Sequence, residues 1–327
     1  MLDTPASAAV TADPIESAMR QVDALIRERL RSEVALIDQI SGYIIGAGGK
    51  RIRPRLVLLF SEALGHVGPA RLELAAIVEF IHTATLLHDD VVDESALRRG
   101  RATANAAFGN AASVLVGDFL YSRAFQMMVS VGRMRVLEVL ADATNVIAEG
   151  EVLQLMNMHD ASLDEEGYLR VIRSKTAKLF EASTRLAAVL AGSPPAVEQA
   201  CADYGQALGT AFQVIDDVLD YDGDAAEMGK NLGDDLREGK STLPLIAAME
   251  RAAPAQRDLM RHAIEQGSVD GLDAIVDIVR ETGALEVARR AAAAEARRPI
   301  DCLALLPGNA YREGLLQLAS SLLERRN

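Results

Sequence analysis

The chain has 327 residues, of which 50% are apolar, 25% charged and only 4% aromatic, with no tryptophan. A formal net charge of −13 argues against nucleic acid as the main partner, because phosphate-backbone binding requires a basic face. The two cysteines, Cys201 and Cys302, have no metal-ligand spacing and form no disulfide framework, which fits a reducing cytoplasm.

In chain order, residues 1–14 are an Ala-rich, acidic-polar run that reads as a loose tail, without the charged and apolar regions of a signal peptide. From residue 15 to 327, helical periodicity continues with no convincing strand alternation and no long linker. Breaks fall at residues 46–49, 65–69, 100–109, 132, 160–164, 192–195, 222–240 and 253–254, each marked by Gly, Pro or Asp. The expectation is a single all-α domain, a bundle of roughly ten to thirteen helices around a central cavity. Segments 71–88, 111–129, 136–158 and 201–219 carry few charges and should be central helices buried on most sides. Segments after residue 255 have clearer polar faces and should pack outside. No run of 18 apolar residues exists, because Glu79, His82 and His88 interrupt the best candidate. A soluble protein is expected, with at most a transient membrane contact.

The first cationic feature is Gly48-Gly49-Lys50-Arg51-Ile52-Arg53-Pro54, a flexible loop leading into a helix start. It is not a P-loop, since Ile44 stands where that motif needs Gly and Arg51 where it needs Ser or Thr. Next come two aspartate clusters of one pattern, Asp89-Asp90-Val-Val-Asp93 and Asp216-Asp217-Val-Leu-Asp220. On a helix, residues i and i+4 share a face about 6 Å apart along the axis, and like charges there repel. A solvated acidic face would alternate with polar residues, yet both clusters sit in apolar surroundings. A hard divalent cation such as Mg2+ compensates such carboxylates and bridges them to phosphate. A calcium loop starting at Asp220 fails, because its sixth and twelfth residues are Ala225 and Asn231.

Basic partners follow each cluster. Arg98-Arg99-Gly100-Arg101 offers planar donor forks suited to phosphate oxygens. Ser174-Lys175-Thr176 supplies an ammonium and a hydroxyl, and Lys230 and Lys240 flank the run Asn231 to Asp235. A lone lysine is more often a surface residue than a ligand. His82 lies two helical turns before Asp89, whereas His88 reads better as a core histidine.

Taken together and in order, GGKRIRP, LLHDDVVDESALRRG, SKTAKLF, GTAFQVIDDVLDY and GKNLGDDLREGKSTLPL resemble the motifs of trans-prenyl diphosphate synthases from about residue 20 to the C-terminus. Segments 76–128 and 145–158 are especially similar to octaprenyl-forming bacterial members. The resemblance implies Mg2+-dependent condensation of isopentenyl diphosphate with an allylic diphosphate, for which farnesyl diphosphate is the expected primer. It implies that Asp89, Asp93 and Asp216, with Asp220, serve the metal, and that Asp90 and Asp217 support them. Arg98, Lys175, Thr176, Gln213, Lys230 and Lys240 would contact the allylic diphosphate. Lys50, Arg53, His82 and Arg99 would hold isopentenyl diphosphate. The released diphosphate would take the final proton, so no protein base is required.

The small pair Ala84 and Thr85 stands where short-chain members carry a bulky aromatic, which implies a pocket open to a long product. Met128 and Leu140 are candidates for a deeper floor. A homodimer is implied, with Ala-rich helices around 111–129 as a possible interface, and the product would feed quinone side-chain synthesis. Heptaprenyl through decaprenyl products stay open at this level, and a short- or medium-chain synthase is the alternative. A terpene cyclase is disfavoured by GGKRIRP, the doubled arginine and the scarcity of aromatics to line a cation-holding cavity. A non-catalytic partner subunit is disfavoured by two intact aspartate clusters.

Overall fold

Twenty-three residues, Ala70–Val92, form helix α4, whose Leu74, Ala75, Ala76, Ile77, Val78 and Ile81 are fully buried. Each of the Leu, Ile and Val side chains among them contributes about 1.5–3 kcal/mol relative to exposure, so this helix is anchored along most of its length. The computed structural model describes residues 14–46, 48–98, 100–222 and 233–323. Arg99, Lys230 and residues 1–13 of the expected tail lie outside the described residues, while Pro14 opens the first helix.

Before α4 come α1 (Pro14–Arg29), α2 (Ala35–Ile45) and α3 (Ile52–Ala63). After it, a minimal antiparallel pair, β1 (Leu97–Arg98) and β2 (Arg101–Ala102), aligns Leu97 with Ala102 and Arg98 with Arg101. Helices α5 (Ala104–Phe108), α6 (Asn110–Val131), α7 (Met134–Asn157) and α8 (Glu165–Ile172) follow. A π-helical turn, Arg173–Ala177, joins α8 to α9 (Lys178–Ala191), and α10 (Pro195–Asp222) is the longest helix. Shorter helices cover Asp234–Arg237, Leu243–Arg251, Pro254–Gln266 and Leu272–Glu281, before Ala284–Leu303 and Ala310–Leu323 close the chain. The architecture is all-α, with about thirteen substantial helices among the described residues.

Three apolar clusters share these elements. One joins α1, α4, α6, α7 and α9, a second surrounds the C-terminal half of α10, and a third lies between α3, α9, α10 and Ala310–Leu323. In the third, Phe60 meets Tyr204 edge-on at 4.9 Å, and the Tyr204 hydroxyl donates to the Leu315 carbonyl at 2.8 Å. The clusters leave the C-terminal end of α4 and the adjacent stretch of α10 facing a common space.

The expected breaks correspond to real helix ends, but burial differs from expectation in two places. Helices α6 and α7 are not buried on most sides: Leu115, Phe125, Val129, Val152, Leu155 and Met156 are exposed, and Leu115 and Met156 reach 67% and 75%. Ala284–Leu303, expected outside, packs its Ala288 and Ala292 into the second core with no exposure. The two-residue strands are too short to leave an alternation in sequence. No described helix is long and apolar enough to cross a membrane.

Candidate active site

The first aspartate cluster lies at the end of α4. Asp89 belongs to its last turn, and Asp93 caps the helix, donating its N–H to the Asp89 carbonyl at 2.8 Å. Both line a cavity of about 780 Å³, and Asp216 and Asp217 of α10 line it too. The same cavity is lined by Lys50 and Arg53 at the start of α3, His82 and Thr85 of α4, Arg98 of β1, Lys175 and Thr176 of the π turn, Gln213 of α10, and Lys240. Two cluster members are held back from it. Asp90, 1% exposed, accepts from Arg98 Nε and Nη2 at 2.8 and 2.6 Å, and fully buried Asp220 accepts the Asp235 N–H at 3.3 Å.

Each flanking aspartate of the first cluster meets a lysine that also grips a glutamate. Lys175 Nζ lies 2.6 Å from Glu151 Oε2 and 3.8 Å from Asp89 Oδ1. Lys240 Nζ lies 3.0 Å from Asp93 Oδ2 and pairs with Glu238. Burial, then Asp89, pushes the Glu151 carboxyl up to about 7. Burial pushes Glu238 up to about 7 against the pull of Lys240. Burial works against the charge of Lys240, but Asp93 and Glu238 outweigh it and raise its pKa. Burial also raises Asp89, although Lys175 opposes that shift. The site thus concentrates carboxylates at an energetic cost that a bound cation relieves.

Lys175 and Thr176 owe their placement to the π turn, a wider backbone loop that recurs at functional sites. Two glycines make room for it. A Cβ on Gly150 would stand 2.8 Å from Lys175 N and 2.9 Å from Ser174 Cβ, and one on Gly209 would stand 2.7 Å from Ala177 Cα. Across the cavity wall, Thr176 Oγ1 donates to Gln213 Oε1 at 3.0 Å, and Gln213 Nε2 donates to Asp217 Oδ1 at 2.7 Å. Tyr168 of α8 donates its hydroxyl to Asp217 Oδ2 at 2.6 Å. Burial pushes Asp217 up to about 8, with Asp235 adding to the shift and Tyr168 and Gln213 opposing it.

The cationic loop is anchored separately. Arg51 adopts a left-handed backbone (φ 47°) at the start of α3 and pairs with buried Glu79. Arg53 is half-buried, with its guanidinium carbon 4.3 Å from the Phe180 ring centroid, and desolvation lowers its pKa to about 10. Its Nε has no hydrogen-bond partner although it is buried, so the residue fits an anion on this wall. Tyr43 of α2 donates to the Ala102 carbonyl at 2.6 Å and carries Arg101 over its ring at 4.6 Å, which ties the hairpin to α2.

On the apolar side, Ala84, Met128 and Leu140 are fully buried in the cluster shared by α4, α6 and α7. Only Thr85 of that group reaches the cavity wall. Sequence reasoning did not single out Glu151, Gln154, Tyr168 or Glu238, which also line the cavity. Glu79, a charge inside the apolar run of α4, was the one legible signal of this kind, and it proves to be the partner of Arg51.

Oxygen donors dominate the site, a set that fits a hard divalent cation. Among the described residues no three His, Cys, Asp or Glu side chains form a ready-made cage. The family description "Polyprenyl synthetase" matches residues 34–279. The chain is 55% identical over 308 residues to octaprenyl diphosphate synthase of Escherichia coli, covering 94% of this chain and 95% of that protein. It is 46% identical over 313 residues to all-trans-nonaprenyl-diphosphate synthase (geranyl-diphosphate specific) of Rhodobacter capsulatus, covering 95% and 96%. The crystal structure of a polyprenyl synthase from Caulobacter crescentus, complexed with calcium and isoprenyl diphosphate, superposes with a TM-score of 0.92 at 46% identity, covering 95% of this chain and 96% of that one. With this fold, this cavity and these relatives, the chain belongs to the polyprenyl synthetase family.

Proposed function

We infer that the chain is a long-chain trans-polyprenyl diphosphate synthase that adds isopentenyl diphosphate repeatedly to an allylic diphosphate and releases octaprenyl diphosphate. The observation that carries the reading is the facing of Asp89 and Asp93 on α4 with Asp216 on α10 across one cavity, with Lys175 and Lys240 beside the first pair. The octaprenyl length is supported by the identity to the Escherichia coli enzyme over nearly the whole chain.

On this reading Asp89, Asp93 and Asp216 would be the carboxylates that hold Mg2+, a hard cation that suits oxygen ligands and substrate phosphate. Asp220 supports Asp216 from the buried layer. When bound, Mg2+ neutralises the allylic diphosphate and stabilises its charge as it departs. Lys175, Lys240 and Arg98 supply positive charge to that group, with Thr176, Gln213 and Asp217 shaping its flank and Asp90 fixing Arg98 through two hydrogen bonds. Lys50, Arg53 and His82 line the adjoining wall and hold isopentenyl diphosphate, with Arg99, so that its double bond faces the allylic carbon. Preorganised charge and orientation together accelerate the transfer, and the departing diphosphate takes the last proton.

Ala84 and Thr85 leave the growing chain free to descend beside α4, and Met128 and Leu140 form the deeper stop. Residues 15–327 act as one domain. The exposed apolar face of α6 and α7 pairs with a second copy, farnesyl diphosphate is the primer, and the enzyme works in the cytoplasm for quinone side-chain synthesis. The test is incubation with farnesyl diphosphate, labelled isopentenyl diphosphate and Mg2+, followed by sizing of the dephosphorylated products. A dominant octaprenyl product, lost on adding EDTA, supports the reading. No incorporation by the folded protein overturns it.

A further inference from the structure

The segment that carries Lys175 is fastened to α10 at two points, and of the two residues it contributes, Thr176 and Tyr168, only Thr176 belongs to the proposed binding machinery. The near point is Thr176 on Gln213, at 3.0 Å. The far point is Tyr168 on Asp217, at 2.6 Å. Gln213 and Asp217 are one helical turn apart on α10 and bonded to each other at 2.7 Å, so the four side chains form a continuous line. Along the chain the same two ends, Tyr168 and Thr176, enclose the C-terminal part of α8 and most of the π turn. The result is a closed circuit, with backbone on one side and hydrogen bonds on the other.

A π turn closes its hydrogen bonds over one residue more than an α-helix, so moving that residue along the chain would shift the register of the turn. Such a shift rotates every following side chain, which would swing Lys175 off the cavity wall. The circuit resists it, because any slip changes the span that the two bonds must bridge. Tyr168 is 4% exposed, and both oxygens of Asp217 are occupied, one by Tyr168 and one by Gln213.

We propose that Tyr168 is a positioning residue, which locks the register of the Arg173–Ala177 turn through Asp217 and Gln213 and thereby fixes Lys175 and Thr176 for the allylic diphosphate. The inference rests on the reading of this cavity as an allylic diphosphate site.

Tyr168→Phe keeps the buried ring and removes only the hydroxyl. By calorimetry with Mg2+ it should bind farnesyl diphosphate about tenfold more weakly, the scale of one hydrogen bond to a charged group, and bind isopentenyl diphosphate as before. Thr176→Val cuts the circuit at its other end, so the double variant should bind no more weakly than Thr176→Val alone. Unchanged farnesyl diphosphate affinity in Tyr168→Phe overturns the proposal, as does equal weakening for both diphosphates or full multiplication of the two effects. Absence of farnesyl diphosphate binding by the unaltered protein would instead defeat the reading of the cavity itself.

Discussion

Nζ of Lys240 lies 3.0 Å from Oδ2 of Asp93, although 147 positions separate them in the chain. The contact joins two residues of the cavity wall, and the chain around Lys240 is tied down on both sides. His159, itself in a left-handed conformation (φ 63°), donates its N–H to the Gly239 carbonyl at 2.8 Å, and Ser241 Oγ donates to the Asp160 carbonyl at 2.8 Å. Lys240→Gln shortens the side chain by one atom, keeps it polar, and leaves Asp93 and Glu238 without their counter-charge. Steady-state kinetics should show kcat/KM for the allylic substrate falling about 10²-fold, the scale of one lost electrostatic donor, with KM for isopentenyl diphosphate little changed. Equal loss for both substrates would argue for general damage.

Stability of the substrate-free protein should depend on pH through Glu151 and Glu238. Both are pushed up to about 7 when folded, against an ordinary value of 4.5. Between those values the folded state binds more protons than the unfolded one, so stability falls as pH rises from about 4.5 to 7. A melting series across that window should show the decline, and Glu238→Gln should flatten it. A slope identical in the variant would remove Glu238 as its source.

Gly150→Ala should act on the π turn. The added Cβ would stand 2.8 Å from Lys175 N, where only backbone movement makes room. The expected cost is about 1–3 kcal/mol of stability, read as a lower melting temperature, together with weaker farnesyl diphosphate binding. Retained affinity in a destabilised variant would separate packing from function.

Product length should respond to Ala84. Its side chain is fully buried in the cluster that also holds Met128 and Leu140, and on the proposed reading Ala84→Tyr would place a ring in the path of the growing chain. Chromatography should show shorter products with the rate of the first condensation largely kept. Unchanged long products would exclude this wall.

The α6–α7 face should govern assembly. Leu115 and Phe125 are exposed apolar side chains on one helix, and patches of this kind mark interfaces. Leu115→Lys with Phe125→Lys should convert a dimer to a monomer in light scattering. A protein that is monomeric before substitution would overturn the assembly.

Sequence reasoning reached the aspartate clusters because charge inside apolar helical stretches costs energy and so signals compensation. It located the helix ends because Gly, Pro and Asp leave strong local marks. It could not reach the π turn, whose single extra residue depends on Gly150 and Gly209 meeting it from other helices. Glu151 and Glu238 look like ordinary surface carboxylates until the fold sets each against a lysine. Low charge in α6 and α7 read as burial, since an exposed apolar face has the same composition as a core.

Helix α4 carries Asp89 at one end of the cavity and Ala84 five residues earlier, about 7.5 Å along the axis. On the proposed reading, the reactive end and the residue that limits the product therefore belong to one rigid rod, and the rod would work as a gauge. Moving a bulky side chain by one turn would shift the stop by about 5.4 Å while the aspartates stay in place. Product size and bond-making chemistry would then vary independently, each by single substitutions on the same helix.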